Sequence, residues 1–313
     1  MAGKIVVLGE CMLEVNRGTG IASGNQLPAT LAYGGDTLNT SVYLARYGVA
    51  VDYATALGDD PLSDWMIEQW QMEGVGCGLV ARMPGEVPGL YMIEVDEHGE
   101  RTFHYWRDSA PARRLLDAPG ADALLKAMLR SDYLYLSGIT LGIYAPTARQ
   151  RLYSFLEAYR SKGGRVIFDG NYRPRLWESE GIARTTYEQM YRLTDIALPT
   201  IEDEQQVFGD ADAASIIARL QGYGVGEVVL KMGGDGCLVA DADSRVLVPA
   251  EPVDVVDTTA AGDSFNAGYL AARIAGDAPV QAAAEGHKMA AQVIQHRGAI
   301  IPPAKLPGWR PPV

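Results

Sequence analysis

Short apolar segments rich in β-branched residues alternate along this chain with longer segments of helical period. Several of the short segments have no polar residue at alternate positions, which is typical of parallel strands buried on both faces. The alternation predicts an α/β fold with a mostly parallel central sheet and helices on both faces. Strands are predicted at residues 5–8, 53–57, 133–136, 166–169, 196–199 and 228–231, and helices at 37–47, 63–73, 146–162, 185–193, 213–223, 263–275 and 280–296.

Two segments break this alternation. Residues 89–107 contain two alternating strands around a turn at 96–99, which predicts a β-hairpin. Residues 11–33 are predicted to be non-helical because Gly18, Gly20 and Gly24 interrupt them. We expect these insertions, at about 11–33 and 86–109, to form a small β lid over the site or a clasp between subunits. Without repeats or a low-complexity linker, residues 1–313 are predicted to form a single domain with this lid.

The charge of the chain limits its partners. A formal net charge of −12 argues against nucleic acid and anionic membranes. An anionic substrate would therefore need a local basic pocket. Cys11, Cys77 and Cys237 are odd in number and far apart, and we expect three free thiols in a reducing compartment. No apolar run approaches 18 residues and no signal peptide is found, which predicts a cytoplasmic protein.

The segment Asp257-Thr-Thr-Ala-Ala-Gly-Asp-Ser-Phe-Asn266 carries the strongest chemical signal. An extended run at 253–256 precedes it, and an amphipathic helix is predicted to begin at Gly262 and Asp263. Bare backbone N–H groups at such a helix start favour an anion. A carboxylate beside that anion site is what transfer of a phosphoryl group to an alcohol needs. We expect the Asp263 carboxylate to be ionised at this position, so that proton transfer comes late; the alternative is that Asp263 only caps the helix.

Other nucleotide and metal motifs are absent. The chain has no Gly-x-x-x-x-Gly-Lys-Ser/Thr loop, no Gly-x-Gly-x-x-Gly after its first strand and no His-Glu-x-x-His. Its four histidines, which are His98, His104, His287 and His296, do not have metal-ligand spacing. A nucleotide would therefore have to bind by another route.

Two further glycine-containing segments are candidate binding sites. In Gly34-Gly-Asp-Thr-Leu-Asn39, Asp36 and Asn39 lie about one helical turn apart and could bind hydroxyl groups, or the segment could simply start a helix. Lys231-Met-Gly-Gly-Asp-Gly236 follows a predicted strand, and could be a nucleotide-binding turn or an ordinary glycine-rich β-turn.

Arginine and tyrosine residues indicate an acidic substrate. The hairpin is predicted to bring Tyr91, Tyr105 and Arg107 together, and Arg173 follows Asn171 at a strand end. Two guanidinium groups with tyrosine hydroxyls would suit a carboxylate, because arginine offers paired donors. The alternative is that both arginines are solvated surface residues.

The segments at 34–39 and 257–263 resemble the two signatures of the ribokinase-like (PfkB) sugar and nucleoside kinases. The resemblance implies ATP and Mg²⁺, with Asp263 as catalytic base and a metal role for Asp203, although the usual Asn-x-x-Glu is here Thr200-x-x-Asp203. The sequence leaves open whether a monovalent cation binds near Asp257 and Thr259. The implied phosphate-binding residues are Ala260, Ala261 and Gly262; those for the sugar are Gly34, Gly35, Asp36, Asn39 and Asp263; those for the nucleotide are Asn171, Thr200, Lys231, Gly233, Gly236, Gly262 and His287.

Further strings, including Gly9-Glu-Cys-Met-Leu-Glu14 and Asn171-Tyr-Arg-Pro-Arg-Leu-Trp177, are similar to bacterial 2-keto-3-deoxygluconate kinases over nearly the whole chain. This implies phosphorylation of the terminal hydroxyl of the keto acid and a homo-oligomer formed through the β lid. Tyr91, Tyr105, Arg107 and Arg173 would then bind the acid end. A kinase for a neutral sugar such as fructose or ribose, and a non-catalytic sugar or nucleotide sensor on the same fold, are the alternatives.

Overall fold

A computed structural model describes residues 3–17, 24–95 and 101–306. Within them nine strands form a large sheet in the order β13-β12-β11-β10-β9-β8-β1-β4-β5, and four form a small sheet in the order β3-β2-β6-β7. The strands are β1 Ile5–Leu8, β2 Met12–Arg17, β3 Ala29–Gly34, β4 Val51–Gly58, β5 Gly76–Met83, β6 Leu90–Val95, β7 Arg101–Trp106, β8 Tyr133–Ser137, β9 Arg165–Asp169, β10 Ile196–Ala197, β11 Glu227–Lys231, β12 Cys237–Ala240 and β13 Arg245–Val248.

The large sheet is mostly parallel and buried on both faces, as predicted. Its strands pair in parallel from β5 to β11, and β12 and β13 add an antiparallel edge. Alternate residues of β1 enter two different core clusters, with Ile5 and Val7 in one and Val6 and Leu8 in the other. Because both faces of the strand are covered by apolar side chains, the sequence shows no polar alternation.

The predicted helices are confirmed within a few residues at each end, except that the helix predicted at 185–193 begins five residues earlier, at Glu180. Local sequence accounts for several helix starts. Asp60 caps α2, since its Oδ1 accepts hydrogen bonds from the N–H groups of Leu62 and Ser63 at 3.0 and 3.3 Å. The helices are α1 Asp36–Arg46, α2 Pro61–Met72, α3 Ala121–Met128, α4 Gly138–Ile143, α5 Pro146–Ser161, α6 Glu180–Tyr191, α7 Ile201–Phe208, α8 Ala213–Gly222, α9 Ala261–Ala275 and α10 Pro279–Ile294.

Three helices, α3, α4 and α7, were not predicted. They contain 8, 6 and 8 residues, too few to show a helical period over several turns. The strand predicted at 196–199 is shorter than expected, because only Ile196–Ala197 pair with both neighbouring strands.

The two predicted insertions pair with one another. The strands β6 and β7 form the predicted hairpin, with Tyr91 opposite Tyr105, and β6 pairs in parallel with β2 from the first insertion. The small sheet is therefore confirmed. The turn predicted at 96–99, and Gly18 and Gly20, lie outside the described residues.

The run at 253–256, which was predicted to be extended, belongs to no helix or strand of the described structure. The Val256 N–H donates instead to the Ile294 carbonyl at 2.8 Å, and the side chains of Val255 and Val256 are exposed.

The three cysteines are free, as predicted; Cys11 and Cys237 are buried and Cys77 is partly exposed. Across the described ranges, no helix is both long enough and apolar enough to cross a bilayer.

The central strand β8 allows a test of the packing. Leu136 is fully buried in β8, and we expect Leu136→Ala to lower the free energy of unfolding by about 2–5 kcal/mol because a cavity remains. The matched control is Leu247→Ala on the edge strand β13, where the side chain is 56% exposed and the loss should be below about 0.5 kcal/mol. Urea unfolding of both variants measures the difference. Equal losses would contradict the assignment of β8 to the core.

Candidate active site

A cavity of about 1220 Å³ lies beyond the carboxyl ends of the parallel strands, between the large sheet and the small one. Parallel sheets bind ligands at this edge, where the chain leaves the central strands in opposite directions. Residues that follow five different strands line the cavity, together with the start of α9 and residues of the small sheet. These residues include Glu10 after β1, Ile139 after β8, Asn171 after β9, Thr200 after β10 and Lys231 at the end of β11.

The helix α9 begins without a side-chain cap. Ala260 occupies the N-cap position in the left-handed conformation, with φ 60° and ψ 19°, which is uncommon for a residue other than glycine. Asp263 lies in the first turn and makes no capping bond. Its Oδ2 accepts a hydrogen bond from Asn39 Nδ2 at 2.8 Å. The capping alternative is therefore wrong, and the Asp263 carboxylate faces the cavity.

The amides at this helix start differ in availability. The Ala261 N–H donates to the Thr258 carbonyl at 3.2 Å, so it is already engaged, contrary to the expectation of a fully bare turn. The N–H groups of Gly262 and Asp263 meet no acceptor in the described part of the chain. These two amides, at the positive end of a 15-residue helix, suit an anion.

One ammonium group lies beside these amides. Lys231 is buried, and its Nζ contacts Asp169 Oδ1 at 3.1 Å and Asn266 Oδ1 at 3.0 Å. The same Nζ lies 3.6 Å from the position that a Cβ on Gly262 would take. The absence of a side chain at Gly262 therefore leaves the ammonium and the helix start open to one anion.

The pKa of Asp263 differs from the sequence-based expectation. Desolvation of its carboxylate and the nearby charge of Asp36 raise this pKa to about 7, while Asn39 and Lys231 act in the opposite direction. The expectation that Asp263 is simply ionised is wrong, because loss of water on burial, followed by the negative charge of Asp36, disfavours the ionised form. Near neutral pH the group exists in both protonation states.

Asp36 begins α1 on the opposite side of the cavity. Its Oδ2 accepts a hydrogen bond from Asn171 Nδ2 at 2.7 Å, and desolvation raises its pKa. The two preceding glycines allow close approach. A Cβ on Gly34 would lie 2.3 Å from the Tyr91 hydroxyl, and one on Gly35 would lie 2.3 Å from the Glu10 carbonyl oxygen. Asn171, which was predicted to contact the nucleotide, lies beside the predicted sugar-binding residues.

The small sheet brings Tyr91, Tyr105 and Arg107 to the same cavity, and the loop after β9 adds Arg173. Arg107 is buried and forms an ion pair with Glu10, a residue that the sequence analysis did not single out. Neither Arg107 Nε nor Glu10 Oε1 has a hydrogen-bond partner among the described residues.

The two tyrosines and Arg173 differ in their exposure. Tyr91 is part-buried and donates its hydroxyl to Glu14 at 2.5 Å. Tyr105 is exposed and lies under the Arg107 guanidinium, with 5.7 Å between that group and the ring centroid. Arg173 is exposed, and its Nη1 donates to the Tyr172 carbonyl at 2.9 Å.

The predicted nucleotide residues fall into two groups. The first group lines the cavity and consists of Asn171, Thr200, Lys231 and Gly262. Gly233, Gly236 and His287 are not among its lining residues in the described structure. Gly233 and Gly236 take left-handed conformations in the turn between β11 and β12. His287 packs edge-on against Phe265 at 4.9 Å, and one ring nitrogen lies 3.1 Å from the Val248 carbonyl. These are the contacts of a histidine packed in the core.

The metal-binding predictions rest on few ligands. Among the described residues no group of three His, Cys, Asp or Glu side chains could hold a metal ion. Asp203 accepts a hydrogen bond from the Tyr172 N–H at 3.1 Å, and desolvation raises its pKa. Asp257 Oδ1 accepts from the N–H and the hydroxyl of Thr259 at 2.9 and 2.7 Å, which ties these two residues to each other.

Several residues of the cavity were not identified from the sequence. Arg113 and Arg175 line it, although no motif marked them. Asn266 donates to Asp169 Oδ2 at 2.9 Å and so fixes the carboxylate that holds Lys231. Asn266 follows Asp263 by three positions on one helix, and this spacing could have identified it.

Comparison with known proteins gives a family and several relatives. The model of the pfkB family of carbohydrate kinases matches residues 2–306. The chain is 48% identical to the 2-dehydro-3-deoxygluconokinase of Escherichia coli strain K12 over 98% of this chain and 100% of that protein. It is 46% identical to the 2-dehydro-3-deoxygluconokinase of Dickeya dadantii, over 97% of this chain and 98% of that protein.

A solved structure shares the fold. The crystal structure of 2-dehydro-3-deoxygluconokinase from Thermotoga maritima has a TM-score of 0.84 and 21% identity, and the match covers 96% of this chain and 95% of that one. The ribokinase-like architecture predicted from the sequence is therefore confirmed.

The charge of Asp36 should be visible in the titration of Asp263. Because Asp36 raises the pKa of Asp263, we expect Asp36→Asn to move that pKa from about 7 towards lower pH. Carbon-13 NMR of the aspartate carboxyl groups measures it, with the exposed Asp108→Asn at the rim of the same cavity as the matched control. An unchanged Asp263 titration in Asp36→Asn would show that the two carboxylates do not interact.

Proposed function

The chain belongs to the pfkB family of carbohydrate kinases, and from this membership and its site we propose that it transfers the γ-phosphoryl group of ATP to 2-dehydro-3-deoxygluconate. This compound is also called 2-keto-3-deoxygluconate, and its terminal hydroxyl is the acceptor. The observation that carries the mechanism is the position of the Asp263 carboxylate, which lies beside two unengaged amides and the Lys231 ammonium.

Asp263 is the general base in this proposal. With a pKa of about 7, a substantial fraction of the side chain is ionised near neutral pH. This basicity is closer to the operating pH than that of an ordinary carboxylate, which favours proton transfer. An alcohol is still a far weaker acid than a carboxyl group, so the proton moves as the new oxygen–phosphorus bond forms. The Asn39 amide holds the carboxylate in place for this step.

Fixed hydrogen-bond donors stabilise the negative charge that develops on the transferred phosphoryl group. The N–H groups of Gly262 and Asp263 lie at the start of α9, and the ammonium of Lys231 lies close to Gly262. Donors that are already in position cost no reorganisation during the reaction. Asp169 and Asn266 keep the Lys231 ammonium in this position.

The acid end of the substrate binds at the small sheet. Arg107 and Arg173 supply positive charge, and the hydroxyls of Tyr91 and Tyr105 supply further hydrogen bonds. The unpartnered Arg107 Nε offers a donor to the substrate carboxylate, while Glu10 fixes the other side of the guanidinium. The hydroxyl groups of the sugar chain bind at the start of α1, which provides Gly34, Gly35, Asp36 and Asn39.

ATP lies against Thr200, Asp203 and Lys231 in this proposal, and the turn carrying Gly233 and Gly236 closes one side. The residues fit Mg²⁺ as an ion held mainly by phosphate oxygens, because Asp203 is one carboxylate without a surrounding protein cage. When bound, Mg²⁺ neutralises charge on those oxygens. Hydrogen bonds from Thr259 to Asp257 hold a carboxylate and a hydroxyl together. Oxygen atoms of this kind support the proposal of a monovalent cation nearby.

The proposal also includes a single domain with a β lid, and a homo-oligomer formed through it. The strands β3 and β7 are the edges of the small sheet, and Leu31 and Trp106 on them are exposed. Unpaired edges with apolar side chains favour pairing with a second copy.

A neutral-sugar kinase has no need for arginines at this end of the cavity, and a sensor has no need for a positioned base.

Asp263→Asn should lower kcat by about 10²–10⁴-fold, because a positioned base is lost while the size of the side chain is kept. The affinity for ATP should be unchanged. A coupled ADP assay measures kcat, and calorimetry measures the ATP affinity. The control is Asp108→Asn at the exposed rim of the cavity. Near-normal turnover of Asp263→Asn would remove Asp263 as the base.

Arg107→Ala should lower kcat/KM for 2-dehydro-3-deoxygluconate by a factor of about 30 or more, which corresponds to about 2 kcal/mol, and should change kcat/KM for fructose little. A substrate panel with ADP detection measures both. Because this variant leaves the Glu10 carboxylate buried without its partner, Arg107→Ala combined with Glu10→Gln is the matched control. Equal losses for the acid and the neutral sugar would argue against a carboxylate site.

A further inference from the structure

A second cavity, of about 390 Å³, lies beside the active cavity. The two cavities share Asp108, Arg113 and Leu176 as lining residues. The start of α5, the segment that leads into it and the residues after Leu176 form the other walls. Its volume is within the range of small-molecule sites. The mechanism above assigns no role to it.

The floor of this cavity contains a buried cation. Arg149 is 9% exposed, and its guanidinium lies over the Trp177 ring at 5.4 Å from the centroid. Within the described ranges, its side chain makes no salt bridge and donates no hydrogen bond. Every other lining arginine has at least a partly exposed side chain. A guanidinium that lines a cavity and has no acceptor among the described residues is free to pair with an anion there.

Two further donors in the walls are unpartnered. The Tyr144 hydroxyl and the Trp177 Nε1 are both buried and have no hydrogen-bond partner in the described structure. Tyr144 itself is only 3% exposed. Burial raises the pKa of Tyr144, and the charges of Glu10 and Asp117 act in the same direction, so the phenol keeps its proton and can donate.

A helix dipole adds to the positive charge of Arg149. The 16-residue helix α5 begins at Pro146, and its N-cap residue Ala145 provides no side-chain cap. Both Ala145 and Pro146 line the cavity. Pro146 has no N–H group to donate, so this helix start contributes the positive end of its dipole, which favours an anion. The partial charge at the start of α5 and the charge of the Arg149 guanidinium are therefore both positive.

The acidic residues of this cavity lie at its rim. Asp108, Asp117 and Glu178 are exposed, whereas Arg149 and Tyr144 are buried. Of the two remaining arginines, Arg114 is already paired with Glu86 at 2.5 Å and Arg113 faces both cavities. Water screens the rim carboxylates, and the floor offers donors without acceptors.

We propose that this second cavity binds a compact oxyanion, either a carboxylate or a phosphate group of a small metabolite. Arg149 pairs with the anion, the Tyr144 hydroxyl and the Trp177 N–H donate to it, and the positive end of the α5 dipole adds to the attraction.

Calorimetric titration of the whole protein with inorganic phosphate, and separately with pyruvate, tests the proposal. Two variants change the second cavity alone: Tyr144→Phe removes one oxygen, and Arg149→Met removes the charge but keeps an unbranched side chain over Trp177. We expect Tyr144→Phe to weaken one binding event by about threefold to tenfold, and Arg149→Met to weaken it by more than tenfold. Binding in the active cavity contributes equally in all these proteins, so the difference between them is the readout.

The matched control is Arg151→Met, on the same helix, where the side chain contacts Asp122 and the Leu116 carbonyl and does not line the cavity. This variant should bind both probes as the unchanged protein does. If only phosphate shows a binding event that the variants weaken, the ligand is a phosphate. If only pyruvate shows one, the ligand is a carboxylate. If neither probe loses a binding event in Tyr144→Phe or Arg149→Met, the proposal is overturned.

A thermal melt separates binding from a structural role. With phosphate added, the melting temperature of the unchanged protein and of Arg151→Met should rise by the same amount, and that of Arg149→Met should rise by less. A purely structural Arg149 would lower the melting temperature of Arg149→Met without changing its response to phosphate, and this result would also overturn the proposal.

Discussion

Three carboxylates, those of Asp36, Asp169 and Asp263, gather at one edge of the sheet with a single buried ammonium, that of Lys231. Lys231 contacts Asp169 directly, and Asn39 and Asn171 supply neutral donors to the other two carboxylates. Burial removes water from the Asp263 carboxylate, and the negative charge of Asp36 adds to this effect, so the pKa of Asp263 is raised to about 7. These two causes give the proposed base its basicity.

The parallel sheet is what brings these groups together. Asp169 ends β9, Lys231 ends β11, and the helices α1 and α9 both begin at the same edge. The two helices are also joined directly, since the Thr40 hydroxyl donates to the Asp263 carbonyl at 3.2 Å. Glycines at 34, 35 and 262 remove the side chains that would otherwise fill the space between these elements. The small sheet then adds Arg107 at the opposite end of the cavity.

Much of the fold could be predicted because buried strands and amphipathic helices have distinct periods. The hairpin and Asp263 were also identified, since their signals lie within a few consecutive residues. Other features were missed for physical reasons. The helix Gly138–Ile143 is too short to show a period. The pairing of Glu10 with Arg107 joins residues 97 positions apart, so no local pattern reveals it.

The sequence by itself determined the α/β class, the small β sheet, the catalytic candidate and the residues available for an acid substrate, because each depends on local composition and spacing. Only the tertiary structure decided which charges meet. It changed Asp263 from an ordinary ionised carboxylate to one with a pKa of about 7, and it left Arg149 buried without an anion. Electrostatic energy depends on distance and on exclusion of water, and both are fixed only when segments remote in sequence pack together.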